Sequence, residues 1–165
     1  MMNTSAATIP FAIPSNKFYP PHIDPSQSLL RTSLLDAKLP QKPHSKKAVI
    51  IEAQAGQGKT TLISQFLDYN EFAYLWYQIG PEDSDPVLLL SSLLANFTQK
   101  FPDFSCPQLT TILNESEVGP LDLQRCANIL LQDIDRYLTS DLYIVFDDIH
   151  MIDDVALTRN LLEYL

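Results

Sequence analysis

The residues best suited to chemistry form a glycine-rich loop at positions 53–60, with the sequence Ala-Gln-Ala-Gly-Gln-Gly-Lys-Thr. The loop fits the phosphate-binding pattern that ends in Gly-Lys-Thr, although alanine stands at the first glycine position. Gly56 and Gly58 can adopt positive φ and bring backbone N–H groups close to phosphate oxygens. The helix predicted to follow would present its positive N-terminal end to the same anion.

Lys59 can reach the β- and γ-phosphates of a nucleotide, and the Thr60 hydroxyl can coordinate Mg²⁺. We therefore predict that Lys59 acts both in binding and in catalysis. The loop predicts ATP or ADP, with Mg²⁺, as the cofactors. The nucleotide-binding residues predicted here are Ala55, Gly56, Gln57, Gly58, Lys59, Thr60 and Thr61.

A second chemical element follows the apolar run Leu142–Phe146, which ends in Asp147 and Asp148. An apolar strand that ends in carboxylates, downstream of a phosphate loop, is the Walker B arrangement. Such a strand would aim its carboxylates at the crevice that holds the phosphates. Asp147 is predicted to hold Mg²⁺ together with Thr60, and Asp148 to act as the general base that polarises an attacking water.

Several other conspicuous residues have a structural explanation that we favour over a chemical one. His150 could contact the nucleotide, but an isolated histidine carries little information and a surface turn is the better interpretation. Trp76 and Tyr77 lie in a predicted strand between helices, where aromatic residues usually belong to the core. Cys106 and Cys126 lack metal-ligand spacing and are predicted to be reduced thiols.

The elements that must position these residues alternate between strand and helix, which implies a parallel α/β sheet. One helix follows the loop, another begins with Asp85 as N-cap and Pro86 as its first residue, and a third begins at Pro120. Phe101–Pro120 is predicted to be irregular, with at most one helical turn, and Val155–Leu165 to begin a last helix. The predicted strands are Ala48–Ile51, Phe72–Ile79 and Leu142–Phe146.

Composition divides the chain and excludes some functions. Residues 1–27 form a proline-rich arm, 28–47 a lead-in helix with a polar linker, and 48–165 a partial nucleotide-binding domain. The net charge is -9, with the acids concentrated late, which argues against direct DNA binding by this chain. No secretory signal and no apolar run long enough to cross a membrane is present, so we expect a cytoplasmic protein.

Four segments, taken in their order along the chain, resemble the ATP-binding region of MalT-type transcriptional activators. These are large LuxR-family regulators of the STAND class of signalling NTPases. Gly80, Pro81 and Ile149 depart from the family pattern, which usually has acidic residues at the first two positions and an aromatic residue at the third. The matching segments are the lead-in around Ile13–Lys17 and Leu30–Leu35, the loop and helix at 55–65, Trp76-Tyr77 with Asp83–Pro86, and Asp147–Ile152.

The resemblance implies the three-layer sandwich of P-loop NTPases, with a parallel sheet, and a role for Arg31 in holding the nucleotide. In this branch a strand that follows Walker B in the chain lies between the loop strand and the Walker B strand. That strand would come after Leu165, so we expect an incomplete sheet and a fragment of a larger regulator. The expected partners are the nucleotide and either the rest of that regulator or a second copy of this chain.

The function predicted from these signals is an ATP·Mg²⁺-dependent switch in a transcriptional regulator, at most a slow ATPase. A small P-loop kinase or another metabolic ATPase is the alternative. A kinase needs basic residues over its acceptor, and those beyond Lys59 are scattered along the chain. An inactive truncated remnant is a further alternative.

Overall fold

The computed structural model describes residues 15–22, 49–52, 54, 56–115, 118–152, 156, 158, 160 and 162. The lead-in helix and linker predicted at residues 28–47 lie outside this part of the chain. Residues 156, 158, 160 and 162 are helical, as predicted for the last helix. The elements are α1 (Lys59–Tyr69), β1 (Tyr74–Gln78), α2 (Pro86–Lys100), α3 (Pro107–Glu115), α4 (Pro120–Tyr137) and β2 (Tyr143–Asp147), with 3₁₀ turns at Ser15–Phe18, Pro81–Ser84 and Ile149–Ile152.

The described residues contain one sheet, in which β1 and β2 pair in parallel. The register places Tyr74 opposite Tyr143 and Gln78 opposite Asp147. The ladder continues past β1, where the Ile79 N–H donates to the Asp147 carbonyl at 2.9 Å. Two of the three predicted strands and their parallel orientation are therefore confirmed, and the fold is compatible with the α/β class.

The prediction of a strand at Ala48–Ile51 is wrong for the residues that are described. Residues 49–52 are not part of the sheet, and Ile50 is 82 % exposed and Val49 45 %. Ile51 alone among the apolar residues of this segment packs against the core, in the cluster around Trp76. A strand exists through its ladder, and among the described residues the ladder joins only β1 and β2. Apolar composition by itself did not form the strand.

Helices cover both faces of the two-stranded sheet. Trp76 packs with Phe66 and Leu67 of α1 on one face, and Val145 of β2 joins this cluster. Leu75 and Tyr77 point to the opposite face because side chains alternate along a strand. There they join the larger core, which α2, α3 and α4 build with residues that include Leu90, Leu109, Leu123 and Leu130.

The starts of α2 and α4 follow local signals that the sequence displays. The Asp85 carboxylate accepts hydrogen bonds from the N–H groups of Val87 (2.8 Å) and Leu88 (3.3 Å), which confirms it as the N-cap. Pro86 and Pro120 are the first residues of their helices, where the missing proline N–H has no intrahelical partner to lose.

Helix α3 corrects the prediction that Phe101–Pro120 is irregular. It runs for 9 residues and begins at Pro107. Leu109 of this helix is fully buried, and Ile112 and Leu113 pack against the same core. The spacing of these three apolar residues is helical, so the signal was present but short.

The outer edge of β1 is covered by a side chain. The Asn96 amide of α2 is buried and donates to the Trp76 carbonyl at 2.8 Å. A covered carbonyl cannot accept a further strand, so this contact protects the edge from pairing. In the part of the chain that the structure describes, no helix has the length and apolar composition to cross a membrane.

We predict that Leu109→Ala lowers the free energy of unfolding by about 2–5 kcal/mol, because it removes a fully buried side chain and leaves a cavity. Gln108→Ala, an exposed position on the same helix, is the matched control and should change stability little. Urea unfolding followed by circular dichroism measures both. Equal effects of the two substitutions would mean that α3 is not packed on the core as described.

Candidate nucleotide site

The two glycines of the loop have the positive φ that the sequence predicts. Gly56 and Gly58 both have φ of 78°. A Cβ built at either position meets no atom within 4 Å, so the requirement for glycine here is conformational rather than steric. The Gln57 N–H donates to the Gln54 carbonyl at 3.3 Å, which closes a turn before α1.

Helix α1 begins directly after this turn, at Lys59. Its N-terminus has no side-chain cap and no acidic residue in the first turn. The first N–H groups of a helix lack intrahelical partners and attract anions. The Lys59 ammonium donates to the Gln54 carbonyl at 3.4 Å, which keeps it over the loop. Ala55 and Arg31, two other predicted nucleotide contacts, lie outside the described residues.

The loop and the acidic strand end meet through a direct contact. The Thr60 hydroxyl donates to Asp147, with its oxygen 2.9 Å from Oδ2 and 3.2 Å from Oδ1. These residues are 87 positions apart in the chain. The structure thus brings together the two residues predicted as Mg²⁺ ligands. Both offer hard oxygen atoms, which is the ligand type that Mg²⁺ takes in proteins.

Asp148 has an unusual backbone conformation, with φ of 59°. Aspartate tolerates the left-handed region better than most residues, at a cost of about 1–3 kcal/mol where the surroundings enforce it. Two bonds to its own backbone enforce it here. The Asp148 N–H donates to Asp147 Oδ1 (3.1 Å), and the Met151 N–H donates to the Asp148 carbonyl (3.0 Å).

The Asp148 carboxylate has two polar neighbours. Gln78, at the end of β1, donates through Nε2 to Asp148 Oδ2 at 3.3 Å. His150 Nδ1 lies 3.8 Å from Asp148 Oδ1, and the histidine side chain is 68 % exposed. His150 is therefore a residue of a surface turn, as predicted. Gln78 is a site residue that the sequence analysis missed.

A cavity of about 360 Å³ opens beside Asp148, at the carboxyl ends of the two strands. Its lining includes Gln78, Gly80 and Asp148 from these ends, together with Lys17 and Glu82. A space of this size holds several water molecules. The Asp148 carboxylate therefore faces an open space at this end of the sheet.

Lys17 lines the cavity and is almost fully buried, at 5 % exposure. Its ammonium pairs with the fully buried Asp83 carboxylate and, at 2.6 Å, with Glu82. The Tyr77 hydroxyl (2.7 Å) and the Gly80 N–H (2.8 Å) also donate to Asp83. These contacts join Ser15–Phe18 to the end of β1.

The same cluster shifts the acidity of its members. The hydrogen bond from Lys17 lowers the pKa of the Glu82 carboxyl below its usual value. Burial raises the pKa of the Tyr77 hydroxyl, so this group stays a donor. A Cβ at Gly80 would lie 2.5 Å from Glu82 Oε2, the end of a flexible side chain that is 47 % exposed, so a larger residue there would require Glu82 to move.

The two cysteines lie apart from this site, in the helical layer. Both thiols are free, as predicted, and the structure shows that both are buried. Burial raises the pKa of Cys106 to about 12 and also raises the pKa of Cys126, so both are unreactive at neutral pH. Across the described residues, no group of three or more His, Cys, Asp or Glu side chains could hold a metal ion. A Mg²⁺ at Thr60 and Asp147 would need further ligands from water and phosphate.

The described elements form a unit of helices and a two-stranded parallel sheet, compatible with the α/β class, whose candidate site joins a glycine-rich loop to an acidic strand end. Part of the chain is similar to MalT-named transcriptional regulators. It is 28 % identical over 128 residues to the HTH-type transcriptional regulator MalT of Vibrio cholerae, and 28 % identical over 125 residues to that of Vibrio parahaemolyticus.

The matches cover 77 % and 76 % of this chain but only 13 % of each regulator. The chain thus spans about an eighth of the length of these relatives. No family model and no solved structure matches the chain.

We predict that Lys17→Met lowers the free energy of unfolding by about 3–5 kcal/mol, because it leaves the Asp83 carboxylate buried without its cation. The double variant Lys17→Met, Asp83→Asn should recover part of this loss. Lys100→Met, at an exposed lysine, is the matched control. Urea unfolding of the four proteins tests the prediction. A loss at Lys17 no larger than that at Lys100 would contradict it.

Proposed function

We propose that this chain binds ATP·Mg²⁺ as part of a nucleotide-dependent switch in a transcriptional regulator, with the fold of a P-loop NTPase. The contact between the Thr60 hydroxyl and the Asp147 carboxylate carries the proposal. A glycine-rich turn without a binding role would not be expected to bring its threonine into hydrogen-bonding contact with a distant carboxylate at the end of an apolar strand. The similarity to MalT-named regulators supports the regulatory context.

Each group would have a separate task. The loop and the first turn of α1 would bind the phosphates through backbone N–H groups, and Lys59 would neutralise the β- and γ-phosphates. Thr60 and Asp147 would hold Mg²⁺, which supplies charge neutralisation to the phosphates. Asp148 would accept a proton from the attacking water in slow hydrolysis.

The placement of these groups suggests how the nucleotide acts as a switch. Thr60 belongs to α1 and Asp147 to β2, so a bound Mg²⁺ complex would tie the helix to the sheet. A ligand that binds the folded state alone adds stability that grows with its concentration. A partner, either the rest of a regulator or a second copy of this chain, would then distinguish the nucleotide-bound state from the nucleotide-free state. We also propose that the protein is located in the cytoplasm.

Nucleotide binding is predicted to depend on Lys59. Lys59→Ala removes a charge-assisted contact worth about 1.5–3 kcal/mol and should weaken binding about tenfold or more. Lys100→Ala removes an exposed lysine elsewhere and should leave the affinity unchanged. Titration with a fluorescent ATP analogue compares the three proteins. Equal affinities of wild type and Lys59→Ala would refute the phosphate-loop assignment, and no binding by the folded wild type would favour the inactive remnant.

Mg²⁺ coupling is predicted to depend on Asp147. Asp147→Asn keeps an oxygen for Thr60 but removes the charge, so ATP binding should lose its Mg²⁺-dependent part and keep its Mg²⁺-free part. Asp135→Asn, at an exposed position on α4, makes the same change in net charge. ATP titrations with Mg²⁺ and with a chelator measure the difference. If Asp147→Asn retains the wild-type Mg²⁺ dependence, Asp147 does not hold the metal.

A further inference from the structure

The side-chain amide of Gln78 contacts Asp148, the residue predicted to act as the general base. Gln78 ends β1 and Asp147 ends β2, opposite each other in the parallel register. Asp148 is the next residue, and its left-handed backbone turns away from the strand direction. This turn places Asp148 Oδ2 3.3 Å from Gln78 Nε2. One carboxylate oxygen is therefore held by an amide, and the backbone behind it by two further bonds.

The same pair faces the cavity beside the strand ends. Both Gln78 and Asp148 line this space. The other charged residues of the lining are Lys17 and Glu82, which pair with each other. A glutamine amide has donors on nitrogen and an acceptor on oxygen. While its nitrogen holds Asp148, its oxygen remains able to accept from a water in the cavity. The two side chains can thus bracket one water molecule.

We infer that Gln78 is a positioning residue that orients Asp148 and the attacking water for ATP hydrolysis, an assignment that rests on the proposed function. In that reaction the water oxygen forms a bond to the γ-phosphorus. The bond from this phosphorus to the β,γ-bridging oxygen breaks, and its electron pair leaves with ADP. One water proton goes to the Asp148 carboxylate. Gln78 exchanges no proton and acts by holding the geometry.

A stable analogue of the transition state tests this inference without requiring fast turnover. Aluminium fluoride bound with Mg·ADP mimics the γ-phosphoryl group only where a water is held in line with it. Titration calorimetry of the wild type and the variants would compare the affinity for Mg·ADP with the affinity for Mg·ADP plus aluminium fluoride. The wild type is expected to bind more tightly with the fluoride. Gln78→Met keeps the length of the side chain but removes its polar atoms. It should reduce this gain about tenfold, with Mg·ADP affinity unchanged.

A second variant and a control keep the result unambiguous. Gln78→Glu places a like charge beside Asp148 and should reduce the gain as well, which covers the case in which Gln78→Met does not fold. Gln99→Met removes an exposed amide that donates to the Tyr19 hydroxyl and should retain the full gain.

The possible results separate the inference from the proposed function. A gain that persists in both Gln78 variants overturns the inference, as does a wild type that gains nothing from the fluoride. An equal loss of affinity for Mg·ADP alone assigns Gln78 a structural role and also overturns it. A folded wild type that binds no Mg·ADP and no Mg·ATP overturns the proposed function itself.

Discussion

The parallel pairing of β1 with β2 is the constraint on which the candidate site depends. Strands that run in the same direction bring their carboxyl ends to one edge of a sheet. Gln78 and Asp147 meet there because the register makes them partners. Helix α1 then approaches this edge from one face and contributes Thr60, while Ser15–Phe18 approaches from the other and contributes Lys17. A shift of the register by one residue would exchange the two faces and separate all of these groups.

The aromatic residues of β1 connect the core to this edge. Trp76 and Tyr77 are adjacent and therefore point to opposite faces of the sheet, where each is fully buried. Tyr77 also donates its hydroxyl to Asp83, and the Lys17 ammonium lies 5.0 Å from the centre of its ring. The assignment of Tyr77 to the core is therefore right but incomplete. Its polar end contacts the buried Lys17–Asp83 ion pair, of which Lys17 lines the cavity.

Hydrogen bonds and ion pairs between the polar groups explain why so many of them can lie at one end of a small sheet. Asp83 is fully buried, and each of its oxygens has a donor at hydrogen-bonding distance. A buried carboxylate without such partners would cost several kcal/mol. Asp148 is treated differently, because it is only partly buried and faces the cavity. The Asp83 carboxylate holds the buried Lys17, which lines the cavity, and the Asp148 carboxylate remains accessible to water.

Short-range features of this protein followed from the sequence because their causes are local. The positive φ of Gly56 and Gly58, the cap at Asp85 and the start of α4 at Pro120 each depend on residues within one turn. The strands around Trp76 and Val145 were predictable from aromatic and β-branched composition, because such side chains suit the pleated, partly buried surface of a sheet. The loop sequence and the two aspartates also identified Thr60, Asp147 and Asp148 as the candidate site.

Only the tertiary structure decided the features that depend on a distant partner. Residues 49–52 have the composition of a strand, yet they form none because no described neighbour completes a ladder. Helix α3 exists because Leu109 is covered by the core, which a short apolar pattern does not reveal. The pairs Thr60–Asp147, Gln78–Asp148 and Lys17–Asp83 join residues far apart in the chain. Sequence specifies which groups can bond, but the packing of helices on the sheet determines which ones come within reach.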